Sequence, residues 1–385
     1  MPGGPQIPLC AAQAILTIDL AALAANWKQL AARAAPAECG AVVKADAYGI
    51  GIEPAVRALA KAGCKTFFVA HVSEGARARA ALGAREDCRI YVLNGVLPRD
   101  DVAQQYAEHG LRPVLGSLAE LQDWSRYPRK ANSAAALHFD VGMNRLGFSL
   151  RADQDEVAIC QAVKNSGVAV DLIMGHFVSS EVGADPMNKR QIDAFRKLRD
   201  QFPGVPASLA NSSGLFLRQK PFFDLVRPGY ALYGGNPTPG RKNPMQAVVR
   251  LQAPIIQLRE IEAGDTVGYN AQWTAKRPTR LATIGVGYAD GLPRNLMATD
   301  ERAGGQTGGE AIVAGKRCPF AGRVSMDLTV IDVTDVPKRA LAPGDMAELL
   351  GDKITVDDMG ARAGTIGYEI LTGLGRRYHR VYVDG

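Results

Sequence analysis

A lysine sits at the end of an apolar run, Val42-Val43-Lys44-Ala45, where most of its stem must be buried. Burial disfavours the ammonium form, so such an amine becomes a nucleophile near neutral pH and can form a Schiff base with an aldehyde. A lysine snorkelling from a strand edge to water produces the same pattern. Other polar residues close apolar runs in the same way. They are His71, Asn94, Asp140 with Arg145 just beyond, His176, Asn211-Ser212-Ser213 and Arg227-Pro228-Gly229-Tyr230. Taken singly these are weak signals. A strand-ending histidine is more often a satisfied core group than a catalyst. Asn-Ser-Ser is an ordinary turn, and Arg227 beside Pro-Gly equally suits a structural ion pair. Together they put almost every polar interruption at the same end of its run.

The elements that must position them recur with a rhythm between about residues 40 and 235. The apolar runs are Ala41–Ala45, Thr66–Ala70, Arg89–Leu93, Arg112–Leu115, Ala134–Asp140, Val168–His176, Pro206–Ala210 and Phe222–Arg227. They are short and rich in Val, Ile and Phe, as fully buried strands are. Helical patterns lie between them. These are Glu53–Ala62 stopped by Gly63, Ser73–Leu82 with Ser73 as cap and Gly83 as stop, Ser117–Trp124, Ala152–Asn165 and Asn188–Gln201. A further helix, Leu20–Ala34 capped by Asp19, precedes the first strand. Eight strands alternating with helices predict a (β/α)8 TIM-type barrel. A doubly wound sheet is the rival, but no G-x-G-x-x-G follows the first strand. After Gly240 the pattern changes to Gly-, Pro- and Asp-punctuated strands. These are Ala247–Leu258, Arg280–Val286, Glu310–Val313, Leu328–Val333 and Met346–Leu350, which predict a C-terminal mostly β domain. The expected organisation is a lead-in over 1–14, the barrel over 15–240 and the β domain over 241–385.

In such a barrel, chemistry gathers at the C-terminal ends of the strands, and the loops after strands seven and eight often cradle a phosphate. Here those loops supply Ser212, Gly229 and Tyr230: a hydroxyl and backbone N–H groups beside glycine. A lysine that forms a Schiff base together with a phosphate site describes pyridoxal 5'-phosphate (PLP).

The segment Ala41-Val42-Val43-Lys44-Ala45-Asp46-Ala47-Tyr48-Gly49 resembles the PLP-lysine signature of the bacterial alanine racemases. The likeness continues through Gly142-Met143-Asn144-Arg145-Leu146-Gly147, Gly175-His176-Phe177, Ala210-Asn211-Ser212 and Val226-Arg227-Pro228-Gly229. It extends to Val267-Gly268-Tyr269, Gly287-Tyr288-Ala289-Asp290-Gly291, Gly322-Arg323-Val324-Ser325-Met326-Asp327 and Gly367-Tyr368-Glu369. The resemblance implies racemisation of alanine by two bases, with D-alanine supplied for peptidoglycan. Lys44 would carry PLP as an internal aldimine and serve the D-isomer; Tyr269 would serve the L-isomer from the opposite face. His176 would support Tyr269 in a chain reaching Arg227, which would hydrogen-bond the pyridine nitrogen. Tyr48, Ser212, Gly229, Tyr230 and Tyr368 would hold the phosphate. Arg145 and the Met326 backbone would grip the substrate carboxylate, and Tyr288, Arg294 and Asp327 would line the entrance. A homodimer is implied, with Tyr269 and Met326 contributed across its interface. The chain departs from the family's frequent residues at four places. His138 stands where a carbamylated lysine often braces the arginine, so another group would support Arg145. Asn144 replaces a glycine, Ile50 a histidine and Ser325 a cysteine.

Bulk properties narrow the reading further. Hydrophobic residues are 47% and charged residues 22% of the 385, ordinary for a globular chain. The six cysteines have no C-x-x-C spacing and only five histidines accompany them. This argues against a disulfide framework or a metal site and for a reducing, cytoplasmic setting. Net charge is +6 with the basic residues scattered, so neither nucleic acid nor a membrane is an expected partner. Residues 1–14 lack the basic start of a secretion signal. Three rivals share part of the pattern. A broad-specificity racemase would keep the same catalytic residues. A decarboxylase of similar fold would place an acid, not Arg227, on the ring nitrogen. A PLP carrier would lack the second domain.

Overall fold

The computed structural model describes residues 7–85, 87–97, 101–127, 134–149, 156–298 and 308–384. All eight apolar runs form strands that pair in parallel. The first is in two pieces, Glu38–Cys39 and Ala41–Val42, on either side of Gly40. Ala41–Val42 pairs with Thr66–Val69, and the sheet continues through Arg89–Val92, Arg112–Leu115, Ala135–Asp140, Val170–Met174 and Ala207–Ser208. The eighth strand, Leu225–Val226, pairs with Glu38–Cys39. Backbone bonds from Asp224 N to Ala207 O (3.0 Å) and from Arg227 N to Ala210 O (2.8 Å) close the ring. The chain is thus a (β/α)8 barrel whose strand ends converge on one face.

The helices lie where apolar periodicity and end signals put them. Leu20–Ala34 begins after Asp19, whose carboxylate accepts from Ala22 N at 2.7 Å. Ile52–Ala62 stops at Gly63 in the left-handed region. Ser117 caps Leu118–Arg126, and Pro186–Asp200 follows Asp185. The helix expected from Ala152 is described over Glu156–Ser166, so its first turn lies outside the described residues. One cap differs from expectation. The helix expected from Ser73 is Val72–Leu82, with His71 as its boundary residue. Glu74 at the third helical position takes over the capping by accepting from Ala70 N and His71 N, which moves the start back one residue.

The second domain is a twisted, mainly antiparallel sheet. Its spine is the long strand Val249–Ile261, which pairs with Met346–Leu350 on one side and Thr279–Ile284 on the other. Glu310–Val313, Lys316–Pro319 and Thr329–Asp332 extend it. Residues 15–19, counted with the barrel from the sequence, belong here instead. Ile15–Asp19 pairs antiparallel with Val249–Ile261 and parallel with His379–Val383. Leu16 and Ile18 are fully buried between flanking half-buried residues, the alternation of a one-face-buried strand rather than a barrel strand. From Ile15 onward the chain therefore runs from the β domain to the barrel and back. Two short helices, Val356–Ala363 and Gly367–Thr372, bring the β domain to the barrel's active end. No helix of the described residues is long and apolar enough to cross a membrane.

Candidate active site

Lys44 leaves the first barrel strand into an unusual turn. Ala45, Asp46, Ala47 and Tyr48 all have positive φ, between 53° and 56°. Left-handed backbone costs an L-residue about 1–2 kcal/mol, so the surroundings must hold this turn in place. Glu74 Oε1 accepts from Ala45 N at 2.6 Å and Asp46 N at 3.4 Å. Asp46 in turn accepts from Ile52 N and pairs with Arg77, which also binds Glu53. Gly49 ends the turn at φ 84°, and a Cβ there would collide with the Leu371 carbonyl. From the β domain, Arg380 donates to Gly49 O and Tyr382 to Ile50 O, each at 2.8 Å. Tyr48 is buried and stacks on Tyr233 at 4.5 Å, whose hydroxyl donates to Val42 O.

The loops after strands seven and eight form the opposite wall. Ser212 Oγ accepts from Gly229 N at 3.0 Å and Ala231 N at 3.2 Å. Gly229 precedes a 3-10 turn, Tyr230–Tyr233, so N–H groups gather where an anion would sit. Glycine is needed there because a Cβ would run into the Tyr48 hydroxyl. The Tyr230 ring stacks on Tyr368 at 3.9 Å. Its hydroxyl is committed to Asp357 at 2.7 Å, which leaves the backbone of Tyr230, not its phenol, to face an anion.

These walls bound a cavity of about 630 Å³, also lined by Arg145, His138, His176, Arg227 and Asn94. Arg227 is buried and donates to Ser208 Oγ at 2.5 Å and Gly175 O at 2.6 Å. Among the described residues no carboxylate pairs with it, and burial lowers its guanidinium to about 9. Desolvation, then Arg227, pushes the His138 imidazole down to about 4. The same causes hold His176 well below the usual histidine range. Both rings are therefore neutral at pH 7. Burial, then Arg145, depresses the Lys44 amine, while Glu74 opposes the shift. Arg145 rides on a loop organised by Asp140, whose carboxylate accepts from Gly142, Met143 and Asn144 N–H groups. Asn144 stands at φ 56°, a conformation asparagine tolerates better than most residues. Among the described residues that line the cavity, Glu369 is the one carboxylate. An amine whose charged form is disfavoured by burial, a hydroxyl-and-amide cradle for a dianion and a buried cation fit PLP.

The remaining expected residues stand elsewhere. Tyr269 is at the tip of a loop bridged by Thr266 and Thr274, with its side chain 68% exposed; the same chain's cavity does not include it. Met326 is 54% exposed, and its carbonyl accepts from Ala289 N. Tyr288, Arg294 and Asp327 are exposed on the same domain, and Asp327 pairs with Arg377. Residues the sequence reading missed include Glu74, Tyr233, Asp357, Ile366 and Thr372. Only Glu74 carried a signal, as an acid at the third position of a helix.

Known proteins resemble this chain along nearly its whole length. The family model for the alanine racemase N-terminal domain matches residues 18–237, and the model for the C-terminal domain matches residues 248–382. An alanine racemase of Methylobacterium nodulans is 53% identical over 96% of each chain. A catabolic alanine racemase of Rhizobium johnstonii is 46% identical over 95% of this chain and 94% of its own. The crystal structure of alanine racemase from Bartonella henselae, with covalently bound pyridoxal phosphate, superposes with a TM-score of 0.87. It is 38% identical and covers 97% of this chain and all of its own.

Proposed function

The chain belongs to the alanine racemase family, and from that premise we propose how its own residues carry out the reaction. It is a PLP-dependent enzyme that interconverts L-alanine and D-alanine, and we read its output as D-alanine for peptidoglycan. PLP supplies an aldehyde for the amine and a ring that draws electrons from the substrate's Cα–H bond. Lys44 Nζ holds the cofactor at rest and then exchanges a proton with one face of Cα, the face that serves the D-isomer. The depression of its pKa by burial supports this role, because it makes the amine easier to deprotonate and so to act as a base. One side chain cannot reach both faces. Tyr269 of a second copy exchanges the proton on the other face, serving the L-isomer, and His176 tunes its phenol. The exposure of Tyr269 and its absence from the lining of its own chain's cavity support a homodimer with shared sites.

Arg227, a buried cation lining the cavity, would donate to the pyridine nitrogen of bound PLP. A cation there would keep that nitrogen unprotonated and so restrain transamination. Ser212, Gly229, the Tyr230 backbone, Tyr48 and Tyr368 hold the phosphate. Burial raises the Tyr48 phenol, so it stays a donor. Arg145 and the Met326 backbone of the second copy grip the substrate carboxylate. Tyr288, Arg294 and Asp327 of the second copy line the entrance. The cysteine spacing supports a cytoplasmic setting.

The observation that carries this reading is the Lys44 amine, the Ser212–Gly229 cradle and Arg227 around one cavity. The test is to incubate purified protein and PLP with separate L-amino acids and quantify the D-isomers. D-alanine formed far faster than any other D-isomer is the expected result. Turnover of many amino acids at similar rates would replace it with the broad-specificity reading.

A further inference from the structure

One carboxylate does more at this site than cap its own helix. Both oxygens of Glu74 are used, each toward a different strand end. Oε2 accepts from Ala70 N at 2.8 Å and His71 N at 3.2 Å, where the second barrel strand stops. Oε1 accepts from Ala45 N and Asp46 N, where the first barrel strand has just released Lys44. A carboxylate can accept at both oxygens, whereas an amide must turn its NH₂ toward one pair of N–H donors. The turn so held has four consecutive left-handed residues, none of them glycine. Lys44 enters it and Tyr48 leaves it, so its geometry sets where both side chains stand.

We propose that Glu74 is a positioning residue for the cofactor-holding lysine, its carboxylate fastening the left-handed turn Ala45–Tyr48 to the end of the second barrel strand. The proposal rests on the reading of Lys44 given above. A second consequence is electrostatic. Lys44 faces Arg145 and His176, with Arg227, His138, Tyr48, Tyr368 and Glu369 around the same cavity. Glu74 acts in the opposite sense to Arg145 by favouring the ammonium form. Arg77, one helical turn on, holds Asp46 of the same turn.

The test uses the full-length protein, freed of PLP with hydroxylamine and dialysed, then titrated with PLP at a series of pH values. Glu74→Gln is expected to weaken PLP retention by about tenfold or more, the effect of losing hydrogen bonds to a charged group. The pH midpoint of capture should also move down, because the anion that favours protonated Lys44 is gone. Adding Ala45→Gly should restore much of the retention, since glycine adopts positive φ without a clamp. It should leave the midpoint low. Wild-type retention and midpoint in Glu74→Gln would overturn the proposal, as would a double variant no better than the single one. If Glu74→Gln does not fold by circular dichroism, Glu74→Asp takes its place, keeping the charge but shortening the reach. Weakened retention at an unchanged midpoint is then expected, and wild-type retention overturns the idea. Fixing the cofactor with borohydride before peptide mapping separates two failures. A pyridoxyl group on another lysine defeats the Lys44 reading itself. One on Lys44 with unaltered retention defeats only the role of Glu74.

Discussion

The two regions that carry the expected proton-exchanging groups are built differently. Lys44 is anchored in the main core. Val42 and Val43 before it are buried, and its turn is tied to the second strand by Glu74 and to the β domain by Arg380 and Tyr382. Tyr269 stands on a loop over a satellite core of Val267, Leu281 and Ala321, with left-handed Asn270 and Ala271 beside it. A region with few buried apolar contacts opens more readily than a region inside the main core. On the proposed reading, the contrast teaches that the Lys44 half of the site is complete within the chain, while the Tyr269 half is presented outward for a second copy to fix.

The largest expected effect tests the first region. Lys44→Ala should lower racemisation by more than about 10⁴-fold, because it removes both a proton-exchanging group and the covalent anchor. The visible absorbance of the lysine-bound cofactor should vanish with it. Retention of that band would move the anchor to another lysine. Tyr269→Phe should lower racemisation by about 10²–10⁴-fold while the band stays intact. Loss of the band as well would mean that the outward loop helps to build the cofactor site, and the division between the two regions would fail.

Smaller effects sharpen the contrast. Arg227→Met leaves Ser208 Oγ and Gly175 O without their donor in a buried setting. It should cost about 1–3 kcal/mol of stability per unsatisfied group, read from the urea midpoint. The matching change Tyr269→Phe, on an exposed side chain, should shift that midpoint by less than about 0.5 kcal/mol. The least effect concerns pH. His138 has its imidazole lowered from an ordinary 6.5 to about 4. Below pH 6.5 the unfolded chain binds this proton more readily than the folded one, so stability falls as pH falls. The contribution is full above 6.5, declines from there to about 4 and is flat below. His138→Asn should flatten part of that decline in urea titrations across the interval. An unchanged slope would mean that His138 is not held neutral.

The barrel was legible because each buried strand is a short apolar run ended by a polar residue, and the helices carry their stops as Gly63 and Gly83. The strand Ile15–Asp19 was not assigned correctly. Its alternating pattern says that one face is buried, but nothing local says against which sheet. The left-handed turn was invisible for a different reason. Ala45, Ala47 and Tyr48 have no intrinsic preference for positive φ and Asp46 only a modest one, and contacts that hold them there come from afar, among them Glu74, 29 residues beyond Ala45. Lys44, Ser212 and Gly229 could be read from residue type and position in the barrel. Tyr269 could not, since an exposed loop tyrosine is ordinary and only the family resemblance singled it out.

The most direct test of a site divided between two chains is complementation. Lys44→Ala and Tyr269→Phe proteins, each nearly inactive, are unfolded together, refolded as a mixture and assayed for D-alanine. If Lys44 of one copy works with Tyr269 of the other, random pairing in a two-fold dimer leaves about a quarter of the sites intact, and activity returns to about that fraction of wild type refolded the same way. If both groups of a site come from one chain, no pairing restores a complete site. Activity that stays at the level of the separate variants would contradict the account.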